Sequence, residues 1–147
     1  MKITLARAFK ERSRLNRKIS EVLNHICCEN SMREDRKRNI DVKQKFEELH
    51  KLHNKLLDLK QAISHANVGI SDKLIELAEL KALYAHINGI PATEGEERVT
   101  ISETRQIVAE IKKTQLLEEM EDLQKRIDTC QDDIDEFNAR TRIEFEV

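Results

Sequence analysis

The chain of 147 residues is 37% charged and 3% aromatic, has no Trp, and carries a formal net charge of −2. A length of this order suits a single folding unit, while so few aromatics exclude an aromatic-rich compact core and leave Leu and Ile seams to supply the burial. No stretch reaches the roughly 18 apolar residues of a membrane span, and Met1 to Lys18 is too interrupted by charge for a secretory signal, so a cytoplasmic chain is expected.

The first predicted element is a helix over about 4–28. Thr4 is placed to cap it, and Leu5, Ala8, Leu15, Ile19, Val22 and Ile26 follow a helical stripe. A mean spacing near 3.5 holds such a stripe against a partner helix, as in coiled coils. Arg12 interrupts it; the stem can pack while the guanidinium reaches an acid on the last helix or snorkels to water. Residues 29–41 lose the periodicity, although Ser31 and Glu34 have capping-box spacing and offer a helix start there.

A second helix is predicted over about 42–68, with Leu49, Leu52, Leu56, Leu59, Ile63 and Ala66 on its seam. Gly69 suits the C-cap, since glycine takes positive φ without steric cost. Ser71 and Asp72 suit the start of a third helix over about 72–87. That helix is apolar almost all round, from Leu74 and Ile75 to Leu83, Tyr84 and Ile87. A helix apolar on most faces is buried on most faces, which in a small chain requires a bundle interior or an oligomer interface. Asn88-Gly89 and Pro91 end it.

Two readings fit residues 98–112. One starts a helix near Ser102. The other pairs strands at about 98–101 and 105–112, with Ile107, Ala109 and Ile111 sharing a face. The tail alternates strictly through Arg142, Ile143, Glu144, Phe145 and Glu146, as a half-buried strand over about 141–146 does. A lone strand leaves its backbone unsatisfied, which favours the sheet reading. The last helix, about 114–138, has the clearest seam: Leu116, Met120, Leu123, Ile127, Cys130, Ile134 and Phe137, three and four apart.

The expected fold is therefore all-α. It is an antiparallel coiled coil or bundle of three to four long helices in one domain over 1–147, with a small β-hairpin or three-stranded antiparallel appendage. Sustained apolar periodicity separates the chain from disordered sequences of similar charge. Ile19, Leu56, Ile63, Leu123, Ile127 and Ile134 are expected to carry the packing and the self-association. Charge is distributed unevenly: residues 1–18 hold seven Lys and Arg against Glu11, and residues 118–146 hold eleven acids against four bases. Opposite-sign ends favour pairing of the first and last helices within or between chains.

The opening Met1-Lys2, Glu11-Arg12, Leu15 and Ile19 resembles a bacterial septicolysin-like family of small helical proteins, a domain of unknown function. Ile63-Ser64-His65-Ala66-Asn67, Ile70-Ser71-Asp72 and Glu76-Leu77-Ala78 stand where that family has its central motifs. Glu110-Ile111-Lys112 and Ile134-Asp135-Glu136-Phe137-Asn138-Ala139 match its later ones. Ser64, Leu77-Ala78 and Ala139 depart from its Asn, Arg-Asp and Trp, which makes this chain a distant member. The resemblance implies a coiled-coil hairpin body, extended structure before the last helix, and a start of that helix near Thr114. The family label also implies a cytolysin, although no membrane-inserting hairpin or Trp-rich loop is recognisable.

Chemistry is sparse. His50 and His53 share a helix face, and His25, Cys27 and Cys28 would approach them if the first two helices pair, giving N and S donors of the zinc type. Adjacent cysteines are poor ligand spacing, so no metal or cofactor is expected. Cys130 reads as a small buried residue. There is no Gly-rich phosphate loop, nucleophile elbow or H-E-x-x-H, and no enzyme is expected. Nucleic-acid binding is the rival to self-association or another protein partner. Arg7, Arg14 and Lys18, with Arg33, Arg36, Lys37, Arg38, Lys43 and Lys45, form a basic footprint. The net negative charge and the scarcity of stacking aromatics count against it.

Overall fold

The computed structural model describes residues 1–147. Its elements run β1 (Lys2–Thr4), α1 (Leu5–Glu29), α2 (Val42–Asn67), a 3-10 turn (Val68–Ile70), α3 (Ser71–Asn88), β2 (Gly95–Arg98), β3 (Thr104–Ile107), α4 (Lys113–Arg140) and β4 (Arg142–Glu144). The protein is thus mostly helical, with two small antiparallel sheets. The chain divides into two compact units: Met1–Gly69 with Asp135–Val147, and Ile70–Ile134.

In the first unit, α1 starts where Thr4 Oγ1 accepts the Arg7 amide at 3.2 Å. Its stripe of Leu5, Ala8, Leu15 and Ile19 packs on Leu56, Leu59 and Ile63 of α2, and Leu5 and Leu59 are fully covered. Arg12 finds no acid; its guanidinium lies 5.2 Å from the centre of the Phe9 ring, a cation over an aromatic face.

No helix starts at Ser31. Residues 30–41 instead form a locked turn. The Arg38 guanidinium donates to the carbonyls of Glu29 and Asn30 at 2.9 and 3.0 Å, satisfying acceptors that the end of α1 leaves free. The Glu29 carboxylate accepts the Asn39 and Ile40 amides, each at 3.0 Å. Asp41 then caps α2 by accepting the Gln44 amide at 3.1 Å.

Gly69 does not take positive φ, because α2 runs directly into the 3-10 turn. The glycine is explained by proximity: a Cβ there would meet the Phe137 ring at 3.4 Å. Ser71 is the first residue of α3 rather than its cap; Ile70 holds the cap position, with no side-chain bond to the helix.

The tail strand pairs with a partner that the sequence does not announce. β4 lies antiparallel to β1, with Ile3 opposite Ile143. Both isoleucines are buried in the core of this unit. The Leu5 amide donates to Thr141 O and the Phe145 amide to Met1 O, both at 2.9 Å, so the clasp is closed at each end.

In the second unit α3 and α4 run antiparallel. Near the start of α3, the Cys130 thiol donates to Lys73 O at 3.3 Å and Lys73 Nζ is 3.3 Å from Asp133 Oδ2. At its other end, Ile87 borders a groove shared with Leu116 and Leu117. Leu116, Leu123, Ile127, Cys130 and Ile134 of α4 are buried, as is Leu80 of α3. Against expectation, Leu80 is the one buried residue of α3; Leu74, Ile75 and Leu83 are exposed. One neighbouring helix covers one stripe, and the remaining apolar surface of α3 stays in water.

Residues 98–112 form no helix; the antiparallel strand pair expected there is present, but its strands are shifted and shorter than the expected 98–101 and 105–112. β2 covers 95–98 and β3 covers 104–107, in the register Glu96 to Gln106 and Glu97 to Arg105. Val99 and Ile101 fall in the connecting bend, and Ile101 is 95% exposed. The shift follows from the turn, closed where the Val99 amide donates to Glu103 O at 3.0 Å; β2 begins at Gly95, whose φ of +127° is open to glycine.

Candidate interaction surface

Both units bury only apolar side chains, with no buried polar or charged residue. The two groups whose titration is displaced lie at the surface. The Glu94 carboxyl is held below its ordinary value, first by its hydrogen bond from Lys112 and then by the Ala109 amide at 3.1 Å. Lys73 is held above its ordinary value by hydrogen bonding to Asp133 and by the charges of Glu76 and Asp133. These are tethers between segments of the chain, and neither lies in an enclosed, water-excluded cleft.

The Glu94 tether ties together the two ends of the hairpin segment. A carboxylate with a depressed value stabilises what it holds above the ordinary Glu range, and that hold is lost as pH falls through the lowered value. We expect the Ala109 amide resonance to titrate with a midpoint below the ordinary glutamate value. Lys112→Met should move that midpoint up, as an NMR pH series would record.

The histidines and cysteines raised above do not converge. His25, Cys27, Cys28, His50 and His53 are all exposed, and no His, Cys, Asp or Glu cluster of three is arranged to hold a metal. The His50 ring instead meets Phe46 edge-on at 4.7 Å, and the Cys28 thiol faces Asn24 at 3.9 Å. α1 and α2 do pair, but these side chains project away from their seam.

The six seam residues Ile19, Leu56, Ile63, Leu123, Ile127 and Ile134 are 4–8% exposed within the single chain. They are thus already covered, and any surface left for a partner consists of other residues. One such surface is the outer face of α3, where Ile75, Ala78, Ala82 and Ala85 follow a second four-three spacing and Leu74 stands beside them. A second is an open groove of about 580 Å³ lined by Ile87, Ile90, Pro91, Leu116, Leu117 and Met120. A third is the β2–β3 hairpin, every residue of which is exposed.

Charge divides with the units. The first unit carries 18 Lys and Arg against 13 Asp and Glu, the second 8 against 15. Around Phe145 the basic side chains of Arg14, Lys18 and Lys55 gather, with Lys55 Nζ 5.6 Å from the ring centre. Glu11 stands among them and tempers that patch.

These features define a helical protein of two small apolar cores with oppositely charged units and uncovered apolar surface. The same fold is found in a functionally unknown conserved protein from Corynebacterium diphtheriae. The two structures agree with a TM-score of 0.74 at 21% identity, over 98% of this chain and 100% of the other. At that identity the likeness establishes the fold alone. No family model and no curated protein matches the sequence. No helix is long and apolar enough to cross a membrane.

Proposed function

We propose that this protein is a non-enzymatic, self-associating scaffold or adaptor of the cytoplasm, built from antiparallel coiled-coil helix pairs. The observation that carries the reading is α3. It is apolar on two opposed faces, and only the face with Leu80 has a cover within the chain. The outer face is narrow and rich in alanine, which lets a second helix approach closely. A second copy of the same chain is the occupant that needs no further partner. Placement of this chain in the septicolysin-like family belongs to the same proposal and rests on the motifs given above. The cytolytic activity implied by that label has no site to support it.

Sedimentation equilibrium tests the reading directly. At micromolar concentration the mass is expected to be a multiple of 17.2 kDa, and Ile75→Asp should lower it. A strict monomer across that range refutes self-association.

The excess of Lys and Arg on the first unit favours one other reading, a polyanion-binding surface centred on Arg14, Lys18 and Lys55. A shift assay with DNA and RNA over a salt series separates the two. Phosphate binding weakens steeply as salt rises, whereas no shift at low salt removes this alternative.

A further inference from the structure

We propose that two copies of this chain join through the open edge of β3. The strands would run antiparallel about a two-fold axis at Thr104, merging two hairpins into one four-stranded sheet. This rests on the self-association reading above and names one contact within it.

A two-stranded hairpin exposed on both faces is marginal alone in water, and its free edges are templates for further pairing. The register fixes which edge groups are free. The Val99 amide donates to Glu103 O at 3.0 Å. Because hydrogen-bonded pairs alternate along an antiparallel ladder, Glu97 with Arg105 and Gly95 with Ile107 are then the other bonded pairs. The backbone groups of Thr104 and Gln106 on one edge, and of Glu96 and Arg98 on the other, point outward.

Charge chooses between the two edges. Pairing β2 with its own copy about a two-fold axis centres on residue 96, 97 or 98, and so sets glutamate against glutamate or arginine against arginine at the axis, which the two Glu96–Arg98 pairs of the register centred on Glu97 offset only in part. Like charges directly opposite destabilise a sheet. The β3 edge has no such obstacle when centred on Thr104. That register places Glu103 of each copy opposite Arg105 of the other, twice, on the face these side chains already share at 3.6 Å. Centring on Arg105 would oppose two arginines, and centring on Gln106 would lose both ion pairs. The edge is therefore self-complementary in one register.

Oxidative cross-linking tests this in the full-length chain with Cys27→Ala and Cys28→Ala, leaving the buried Cys130 in place. Residues in a hydrogen-bonded antiparallel pair have Cα atoms about 5.5 Å apart, within disulfide reach. Thr104→Cys should give a covalent dimer. Gln106→Cys should not, because in that register residue 106 lies beside the connecting bend of the second copy and away from its own counterpart. Adding Glu103→Arg to Thr104→Cys should slow cross-linking about fivefold to tenfold, since two attractive pairs become repulsive. Adding Arg105→Glu as well should restore the rate. Equal cross-linking of Thr104→Cys and Gln106→Cys, or indifference to the charge reversals, overturns the proposal. If the wild-type chain still associates in that event, the broader reading stands without this contact; a monomeric wild type overturns both.

Discussion

Truncating Leu59 to alanine is expected to lower the stability of the first unit by about 2–5 kcal/mol, the range for removing a fully covered leucine whose cavity collapses only in part. Leu59 has 0% exposure and sits on α2 among Leu5, Ala8 and Ile63. The clasp between β1 and β4 adds Ile3 and Ile143 to the same core, so collapse would need two helices and a strand pair to shift together. A loss of that size is a large fraction of the stability of a small domain. Hydrogen exchange is the suitable readout, because it resolves the amides of α1 and α2 from those of α3 and the hairpin. Protection should fall along α1, α2 and β4. An unchanged exchange pattern would mean that Leu59 lies in water in solution and that the seam between α1 and α2 is not a dry surface.

Local periodicity explains why the helices were legible in the sequence. A 3.5-residue apolar spacing is set within a few turns of chain, and the expected spans at 4–28, 42–68, 72–87 and 114–138 lie within one or two residues of α1 to α4. What the sequence did not disclose depends on residues far apart in it. β1 has three residues, too few to carry a pattern, and exists because Arg142–Glu144 supplies its hydrogen bonds from the other end of the chain. The turn after α1 looks like an unpatterned polar run, yet Arg38 and Glu29 lock it across nine residues of sequence. Gly69 could be read from sequence only as a cap, since the Phe137 ring beside it comes from a helix some 70 positions later.

The uncovered apolar surface was legible only in part, and for a related reason. Hydrophobicity marks residues that prefer to be covered, not the neighbours that cover them. The seam positions and the outer face of α3 look alike in sequence. They differ because α1 and α2 cover one another, whereas α3 has α4 on one side only. The hairpin edge was hidden for another reason: its self-complementarity depends on register, and register is fixed by the turn over 99–103, where the Val99 and Thr100 amides both donate to Glu103 O.

Replacing Ile127 with aspartate should unfold the second unit outright. Ile127 is 7% exposed on the α4 seam, between Leu123 and Cys130. The change removes a buried branched side chain, worth about 1.5–3 kcal/mol of burial, and sets a carboxylate where no polar residue is otherwise buried. An unpaired buried charge adds several kcal/mol more unless it takes up a proton, and the total reaches the exceptional range for single substitutions, above about 4 kcal/mol. Few residues oppose it, since α3 contributes Leu80 alone as a buried side chain. Tyr84, the one tyrosine of the chain, lies on α3, so its fluorescence reports this unit without labelling. The emission should match that of the urea-unfolded chain already in buffer and should shift toward the native signal at acid pH, where the new carboxyl is neutral. Ile127→Asn removes the same packing without that pH response, so a difference between the two variants at pH 7 that vanishes near pH 4 would isolate the cost of burying the charge.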